Sequence, residues 1–205
     1  MKSKSSMGSS EHPAGSPVKW LYSDPETSPR LTGHLVKSFS RLPSYRPIVF
    51  ICIGTDRSTG DALGPLVGSR LKKYSSKAYH LFGTLDEPVH AMNLGKTITA
   101  IEQSFTNPFV VAIDACLGQV SSVGCIQLGK GPLKPGAGVN KQLPSVGHMH
   151  ITGIVNVGGF MEYFVLQNTR LHLVMNIAET ISDSIHQSFL EMGNASSTSF
   201  VQFDG

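Results

Sequence analysis

The sequence predicts an α/β protein in which helices pack on a mostly parallel sheet. Three apolar stretches rich in β-branched and aromatic residues alternate with segments whose apolar residues recur at helical spacing. This alternation is typical of βαβ units, because parallel strands need a long crossover connection and a helix usually supplies it. The 205 residues are 40% hydrophobic and 15% charged, which is enough to bury one substantial core.

The predicted elements follow from periodicity and from the residues that break it. Leu31, Leu35 and Phe39 recur at helical spacing and Pro43 ends the pattern, so the first helix is predicted at 31–42. Apolar and β-branched runs then predict strands at 48–53, 78–84, 109–113, 124–128 and 151–157. Helical spacing predicts further helices at 62–71, 91–104 and 171–189.

Composition sets the expected domain boundaries. Residues 1–30 are rich in Ser, Gly and Pro, and such a segment cannot bury enough apolar surface to order itself. We therefore predict a disordered N-terminal tail at 1–30, a single α/β domain at 31–192 and a flexible, Ser-rich tail at 193–205. The last helix either packs on the sheet or forms a contact between identical subunits, so a homo-oligomer stays an open alternative.

Composition also limits the cell compartments and the classes of binding partner that are expected for this protein. The apolar run at 48–53 is far too short for a transmembrane helix, which needs roughly 20 residues, and no secretory signal is visible at the N-terminus. A cytoplasmic protein without a membrane partner is expected. Three cysteines, an odd number, do not predict a disulfide framework. A net charge of +3 does not indicate a nucleic acid partner, and no cofactor is predicted.

Several common catalytic motifs are missing from the sequence. The segment 54–61 follows a strand and opens a helix, but five residues separate its glycines and an aspartate stands where a P-loop has lysine. The chain also lacks the G-x-S-x-G, H-E-x-x-H and Cys-x-x-Cys motifs and the Asp-Thr-Gly or Asp-Ser-Gly triplets. Catalysis would therefore depend on carboxylates, histidines or an unusual nucleophile.

Asp61 and Asp114 are the candidate catalytic pair. Each is expected where a strand gives way to the next element, and in a doubly wound sheet the ligand crevice lies outside the carboxyl ends of the strands. Two close carboxyl groups can share one proton, activate water and protonate a leaving group. The alternative is structural, with Asp61 at a helix N-terminus and Asp114 in a turn.

Other residues offer weaker alternatives. His148 and His150 could ligate a metal together, with His80 and His90 as poorer candidates, yet no metal ligand is assigned because loop histidines are often incidental. Cys116 could act as a nucleophile only if a base such as His148 lay close to it, and an inert thiol is favoured.

Two segments are predicted to contact the substrate. Asp56 and Arg57 form either a surface ion pair or a substrate site in which Arg57 orients a carbonyl group. The glycine-rich segment 129–138 allows close backbone approach, and its lysines indicate contact with an acidic partner. The predicted substrate-binding residues are Asp56, Arg57, Lys134, Gly136 and Gly138.

Three segments, at 52–65, 112–116 and 131–139, resemble the YyaC family of sporulation proteins, and the resemblance extends over about 47–175. The same segments are more remotely similar to the germination protease that degrades small acid-soluble spore proteins. In that enzyme an Asp-Ala-Leu-Gly-Pro stretch and an Ile-Asp-Ala stretch hold two essential aspartates, and these fall on Asp61 and Asp114.

The resemblance implies a three-layer α/β sandwich of the phosphorylase/hydrolase type, HybD-like, shared with hydrogenase maturation endopeptidases. It implies a peptidase of sporulation or germination in the forespore or spore core, acting on a peptide or protein such as a small acid-soluble spore protein. Two alternatives stay open: a non-catalytic spore assembly or regulatory protein on this scaffold, and a metal-dependent endopeptidase of the maturation type, in which the two aspartate positions sense nickel.

Overall fold

The computed structural model describes residues 17–136 and 143–198, which form a six-stranded mixed sheet with helices on both faces. The order across the sheet is β1-β5-β6-β4-β2-β3. The strands are β1 Val18–Leu21, β2 Ile48–Cys52, β3 His80–Phe82, β4 Phe109–Gly118, β5 Cys125–Lys130 and β6 Met149–Val157. The helices are α1 Thr27–Phe39, α2 Leu63–Lys73, α3 Leu94–Ser104, α4 Glu162–Gln167 and α5 Leu171–Thr198.

The two faces of the sheet carry separate hydrophobic clusters. All five residues of β2 are buried, because alternate side chains enter opposite layers. Phe50 packs in the cluster formed with α1, α2 and α5, whereas Val49 and Ile51 pack with Leu94 and Ile101 of α3. The chain is therefore a three-layer α/β sandwich, and the predicted fold class is confirmed.

The parallel part of the sheet lies at its centre and at the β3 edge. Strand β2 pairs in parallel with β3 and β4, and β4 pairs in parallel with β6. Strand β5 is antiparallel to β6 and to β1, so the other edge departs from the parallel pattern. The carboxyl ends of β2, β3, β4 and β6 consequently point to one end of the sheet.

The predicted N-terminal tail is wrong for residues 17–30. Residues 18–21 form β1, which pairs with β5, and α1 already begins at Thr27. The Thr27 hydroxyl donates a 2.6 Å hydrogen bond to the carbonyl of Leu21, and Trp20 packs against the core. Sheet pairing and burial outweigh the local composition here. Residues 1–16 lie outside the described residues.

The predicted boundary at 193 is also wrong, because α5 continues to Thr198. Adding a residue to an existing helix costs much less than nucleating a new one, so Gly193 does not stop it. Residues 199–205 lie outside the described part of the chain. None of the helices described at 17–136 and 143–198 is long and apolar enough to cross a membrane.

Strand β4 is longer than predicted and α4 was not predicted. Strand β4 runs on from Ile113 to Gly118 because β6 pairs with it along this length, with a shift of register between Cys116 and Leu117. Helix α4 is only six residues long, which is too short to show the helical period of apolar residues by which the other helices are identified.

Candidate active site

An open cleft of about 930 Å³ lies at the carboxyl ends of the central strands. Its walls come from the β2–α2 connection, the β3–α3 connection, β4, the segment after β5 and the region of α4. The polar and charged side chains that line it are Thr55, Asp56, Arg57, Ser58, Asp61, His90, Asp114, Glu162 and Tyr163. Two aspartates that are 53 positions apart in the sequence are thus brought to one cavity.

Asp61 is held by the tight turn that follows β2. It lies in the short 3₁₀ helix Gly60–Ala62, and its backbone carbonyl accepts a 3.1 Å hydrogen bond from the Thr55 N–H. Gly54 has a φ of 140°, and a Cβ at that position would overlap the Asp61 carbonyl. Only glycine therefore allows the chain to turn this closely around Asp61.

Asp114 lies inside β4 rather than after it, where it pairs with Thr152 of β6. Alternation along the strand places its side chain on the same face as Ala112, which is the α3 side of the sheet. The side chain is buried, with 7% of the residue exposed, and Oδ1 accepts a 2.8 Å hydrogen bond from the Ala115 N–H. Asp114 is thus a cleft residue, and the predicted turn is not observed.

Burial and mutual repulsion change the protonation of the two aspartates. Burial, and then the negative charge of Asp61, raise the pKa of Asp114 well above the usual aspartate value. Burial also raises the pKa of Asp61, while a hydrogen bond from the Thr55 backbone and the charge of His90 oppose that rise. Such a pair readily retains one proton, which is the state required for combined base and acid catalysis.

The predicted substrate-binding residues are only partly brought together. Asp56, Arg57 and Gly136 line the cleft, whereas Lys134 is exposed to solvent and is not among the lining residues. Gly138 lies outside the described residues.

The Asp56–Arg57 ion pair is not among the ion pairs of residues 17–136 and 143–198. Asp56 and Arg57 each contact Thr55 and not one another. The Thr55 hydroxyl contacts Asp56 Oδ1 at 3.5 Å and accepts a 3.3 Å hydrogen bond from the Arg57 backbone N–H. The guanidinium of Arg57 is therefore not engaged by its neighbour in the sequence.

His148 and His150 do not reach the cleft. His148 directly precedes β6, and its Nδ1 accepts a hydrogen bond from the Val110 N–H; His150 lies at the start of β6, and its Nδ1 contacts the Gly131 carbonyl. No three His, Cys, Asp or Glu side chains in the described ranges lie close enough together to hold a metal ion. The predicted metal alternative through these two histidines is therefore not supported by their positions.

Cys116 is not an activated nucleophile. It lies in β4 and burial raises the pKa of its thiol to about 11, so the thiolate is scarce at neutral pH. The predicted interpretation of an inert thiol agrees with this environment.

Sequence reasoning missed the part of the cleft wall that is formed by α4 and the turn before it. Phe160, Met161, Tyr163 and Phe164 are all more than half exposed, and the last three line the cleft. Met161 adopts the left-handed backbone conformation with a φ of 53°, and Glu162 Oε1 accepts a hydrogen bond from the Gly159 N–H. The sequence offered one signal for this wall. Large apolar and aromatic residues follow Gly158 and Gly159 but belong to no predicted helix or strand, so they could have been predicted to line a surface site and not the core.

Ser58 is a second residue that the sequence did not single out. It lines the cleft, it is 8% exposed, and its hydroxyl has no hydrogen-bond partner among the described residues. Burying a hydroxyl without a hydrogen-bond partner raises the free energy of the folded state. The loop at 54–60 is therefore locally destabilised, and such destabilisation is concentrated at functional sites.

Comparison with known proteins places the chain in a family. The family model described as "Protein of unknown function (DUF1256)" matches residues 19–184. A protein of Bacillus subtilis (strain 168), "Uncharacterized protein YyaC", is 59% identical over 151 residues, which cover 74% of this chain and 74% of that protein.

Among solved structures, the chain is similar to the crystal structure of a [NiFe] hydrogenase maturation protease HycI from Thermococcus kodakarensis KOD1. The TM-score is 0.46 at 20% identity, over 75% of this chain and 99% of that one. The two sequence matches cover most of the chain and confirm the resemblance to the YyaC family. The chain therefore belongs to the DUF1256 family and is a relative of YyaC.

Proposed function

We propose that this protein is a peptidase in which Asp61 and Asp114 hydrolyse a peptide bond with one water molecule. The observation that carries the proposal is that these two carboxyl groups line one open cleft, where burial, and then the charge of Asp61, raise the pKa of Asp114. Structural aspartates at helix ends and in turns have no reason to be coupled in a cavity of this size. Acid–base catalysis on a carbonyl, in contrast, needs one ionised and one protonated group.

The environments assign a role to each aspartate. Asp61 is less buried, so it is the ionised group that takes a proton from the attacking water. Asp114 carries the shared proton and donates it to the carbonyl oxygen as the water oxygen bonds to the carbon. Collapse of the tetrahedral intermediate breaks the C–N bond as the proton held by Asp61 passes to the leaving amine and one hydroxyl of the intermediate returns a proton to Asp114. The products are one carboxylic acid and one amine, and the two aspartates return to their starting state.

The cleft has room for an extended polypeptide segment. Its volume of about 930 Å³ and its apolar wall at α4 suit side chains on both sides of a scissile bond. The resemblance of the Asp61 and Asp114 segments to the germination protease favours small acid-soluble spore proteins as substrates, in the forespore or spore core. Asp56, Arg57 and Gly136 would contact the substrate chain, and Lys134 would contact an acidic part of it outside the cleft.

Cleavage of a purified small acid-soluble spore protein in H₂¹⁸O tests the proposal. Mass spectrometry should find new carboxyl termini that carry ¹⁸O, and Asp61→Asn and Asp114→Asn should each lower the rate by about a thousandfold. Asp86→Asn is the matched control, because Asp86 is an exposed aspartate paired with Lys72. Full activity in both cleft variants would refute the aspartate-pair mechanism.

Binding without turnover is the second candidate function. The exposed apolar side chains of α4 and its preceding turn favour it, because such groups commonly mark contact surfaces. A spore assembly or regulatory protein would retain a protein partner in both Asp→Asn variants and release no product.

Elemental analysis of the purified protein tests the metal-dependent alternative, which predicts stoichiometric nickel or zinc.

A further inference from the structure

Helix α4 forms part of the cleft wall, yet little burial holds it in place. None of its six residues is buried, and Leu166 packs only partly buried against the core. Phe164 of this helix and Met161 of the turn before it line the cleft while more than half exposed. A helix this short is marginal on its own, so its position depends on the contacts made at its ends.

Two side chains hold the carboxyl end of α4. The Val165 carbonyl is one of the last four of the helix, which have no partner within the helix. It accepts a 2.9 Å hydrogen bond from the Thr169 hydroxyl and a 3.3 Å hydrogen bond from Asn156 Nδ2. Asn156 Nδ2 also donates to Thr169 Oγ1 at 3.2 Å, because the one hydrogen of that hydroxyl is given to Val165. These bonds tie α4 to the end of β6, where Asn156 lies.

The orientation of the Asn156 amide is fixed by its own neighbour. Its Oδ1 accepts a 2.9 Å hydrogen bond from the Val157 N–H, so the amide nitrogen is the atom that faces Val165 and Thr169. Asn156 thus uses both its acceptor and its donor. Asp at this position would keep the acceptor for Val157 and lose the donor for α4.

The anchored end of α4 also lies against the turn that carries Asp61. Gly60 directly precedes Asp61, and a Cβ at Gly60 would lie 2.9 Å from Thr169 Oγ1 and 3.0 Å from the Leu166 carbonyl oxygen. Thr169 is itself buried, so this contact leaves little room for either side to move. The cleft wall and the Asp61 turn therefore meet at the hydroxyl that Asn156 holds.

We propose that Asn156 is a positioning residue that, together with Thr169, holds α4 against the Asp61 turn and so sets where a substrate on α4 lies relative to the Asp61 carboxylate. This inference rests on the proposed function for its catalytic meaning, but the placement of α4 can be measured without turnover. A misplacement of about 1 Å can lower a rate by about a hundredfold. Loss of the Asn156 and Thr169 hydrogen bonds should therefore lower kcat more than it raises KM.

Two substitutions at Thr169 separate positioning from stability. Thr169→Val keeps the volume of the side chain and removes the hydroxyl, whereas Thr169→Ser keeps the hydroxyl and removes a methyl group. Both should lower Tm, because each disturbs a buried side chain. We expect kcat to fall about tenfold in Thr169→Val and in Asn156→Asp, and Thr169→Ser to retain most of it. The double variant Asn156→Asp/Thr169→Val should be no slower than the slower single variant, because both changes break one linkage.

Thr180→Val is the matched control. The Thr180 hydroxyl also donates to a carbonyl four positions earlier, that of Asn176, but it lies on α5 and does not line the cleft. Its removal should leave kcat and KM unchanged.

Steady-state rates on one peptide of the spore protein give kcat and KM for each variant. Fluorine-labelled tyrosine gives a ¹⁹F NMR signal for Tyr163, which lies on α4 in the cleft, and Tyr163→Phe assigns that signal. The signal should shift in Thr169→Val and Asn156→Asp and keep its position in Thr169→Ser.

An unchanged Tyr163 signal or an unchanged kcat in Thr169→Val would overturn the proposal, and so would an equal loss of kcat in Thr169→Val and Thr169→Ser. If wild-type protein hydrolyses nothing while the Tyr163 signal shifts as expected, the peptidase function fails and the anchoring of α4 by Asn156 stands.

Discussion

Asp114 holds its proton more firmly than Asp61 because it is more deeply buried and because the negative charge of Asp61 acts on it. If Asp61 must be ionised and Asp114 protonated, activity should rise as pH passes the Asp61 pKa and fall as pH passes the higher Asp114 pKa. We therefore expect a bell-shaped profile of kcat/KM whose acidic limb lies above the usual aspartate range. Initial rates measured across a pH series will check this, and a flat profile would contradict the assignment.

The raised pKa of Asp114 also has a consequence for stability. The folded protein binds this proton more tightly than the unfolded chain does. The contribution is therefore fully present below the unfolded pKa and is lost as pH rises through the folded pKa. Asp114→Asn is neutral at every pH and keeps an acceptor for the Ala115 N–H. We expect its Tm to exceed that of the wild type at alkaline pH and the difference to shrink on acidification. A constant difference would show that Asp114 does not titrate in this range.

Gly64 allows α2 to approach the end of β2, and a Cβ there would overlap the backbone carbonyl of Ile53. We expect Gly64→Ala to lower the free energy of unfolding by about 2–4 kcal/mol, because backbone must move to relieve the overlap. Gly33→Ala is the matched control at an exposed position of α1, where a Cβ meets nothing within 4 Å. It should stabilise the protein by about 0.5–1 kcal/mol. Denaturant unfolding measures both, and equal effects would contradict this packing.

Phe164 projects from α4 at the cleft and is 56% exposed. If its ring packs on a substrate side chain, Phe164→Ala should raise KM about fivefold, equivalent to about 1 kcal/mol of lost apolar contact, with little change in Tm. Val120→Ala removes an exposed apolar side chain outside the cleft and should leave KM unchanged. Steady-state kinetics on one peptide substrate compare the two. An equal KM in both variants would place the substrate elsewhere.

The layered fold could be predicted because its main signals are local. The runs around Phe50 and Val111 are apolar at consecutive positions, as strands covered on both faces must be. Strand β1 escaped prediction because four residues with a lysine among them carry little signal. Its order depends on pairing with β5, which is more than a hundred positions away in the sequence.

The two candidate aspartates could be located from sequence, but their surroundings could not. A strand followed by a turn places Asp61 near a carboxyl end. The same argument predicts Asp114 just after its strand, whereas Asp114 lies inside the longer β4 and still lines the cleft. His90 carries no such signal, since its position depends on the bridge between Val89 and Ile53. The close spacing of His148 and His150 in the sequence suggested a shared metal site. In the structure each ring instead contacts a backbone group near the start of β6.

Strand β1 has a bearing on where the polypeptide can be shortened. It covers the outer edge of β5 through four paired positions, from Val18 with Leu128 to Leu21 with Cys125. The Ser28 Oγ of α1 also lies 3.0 Å from the Ser184 Oγ of α5. The first 30 residues therefore also contribute a contact between two helices that are far apart in the sequence. Removal of the first 30 residues would leave the amide and carbonyl groups of β5 open to another molecule. Self-association into aggregates is then the expected fate of the truncated protein.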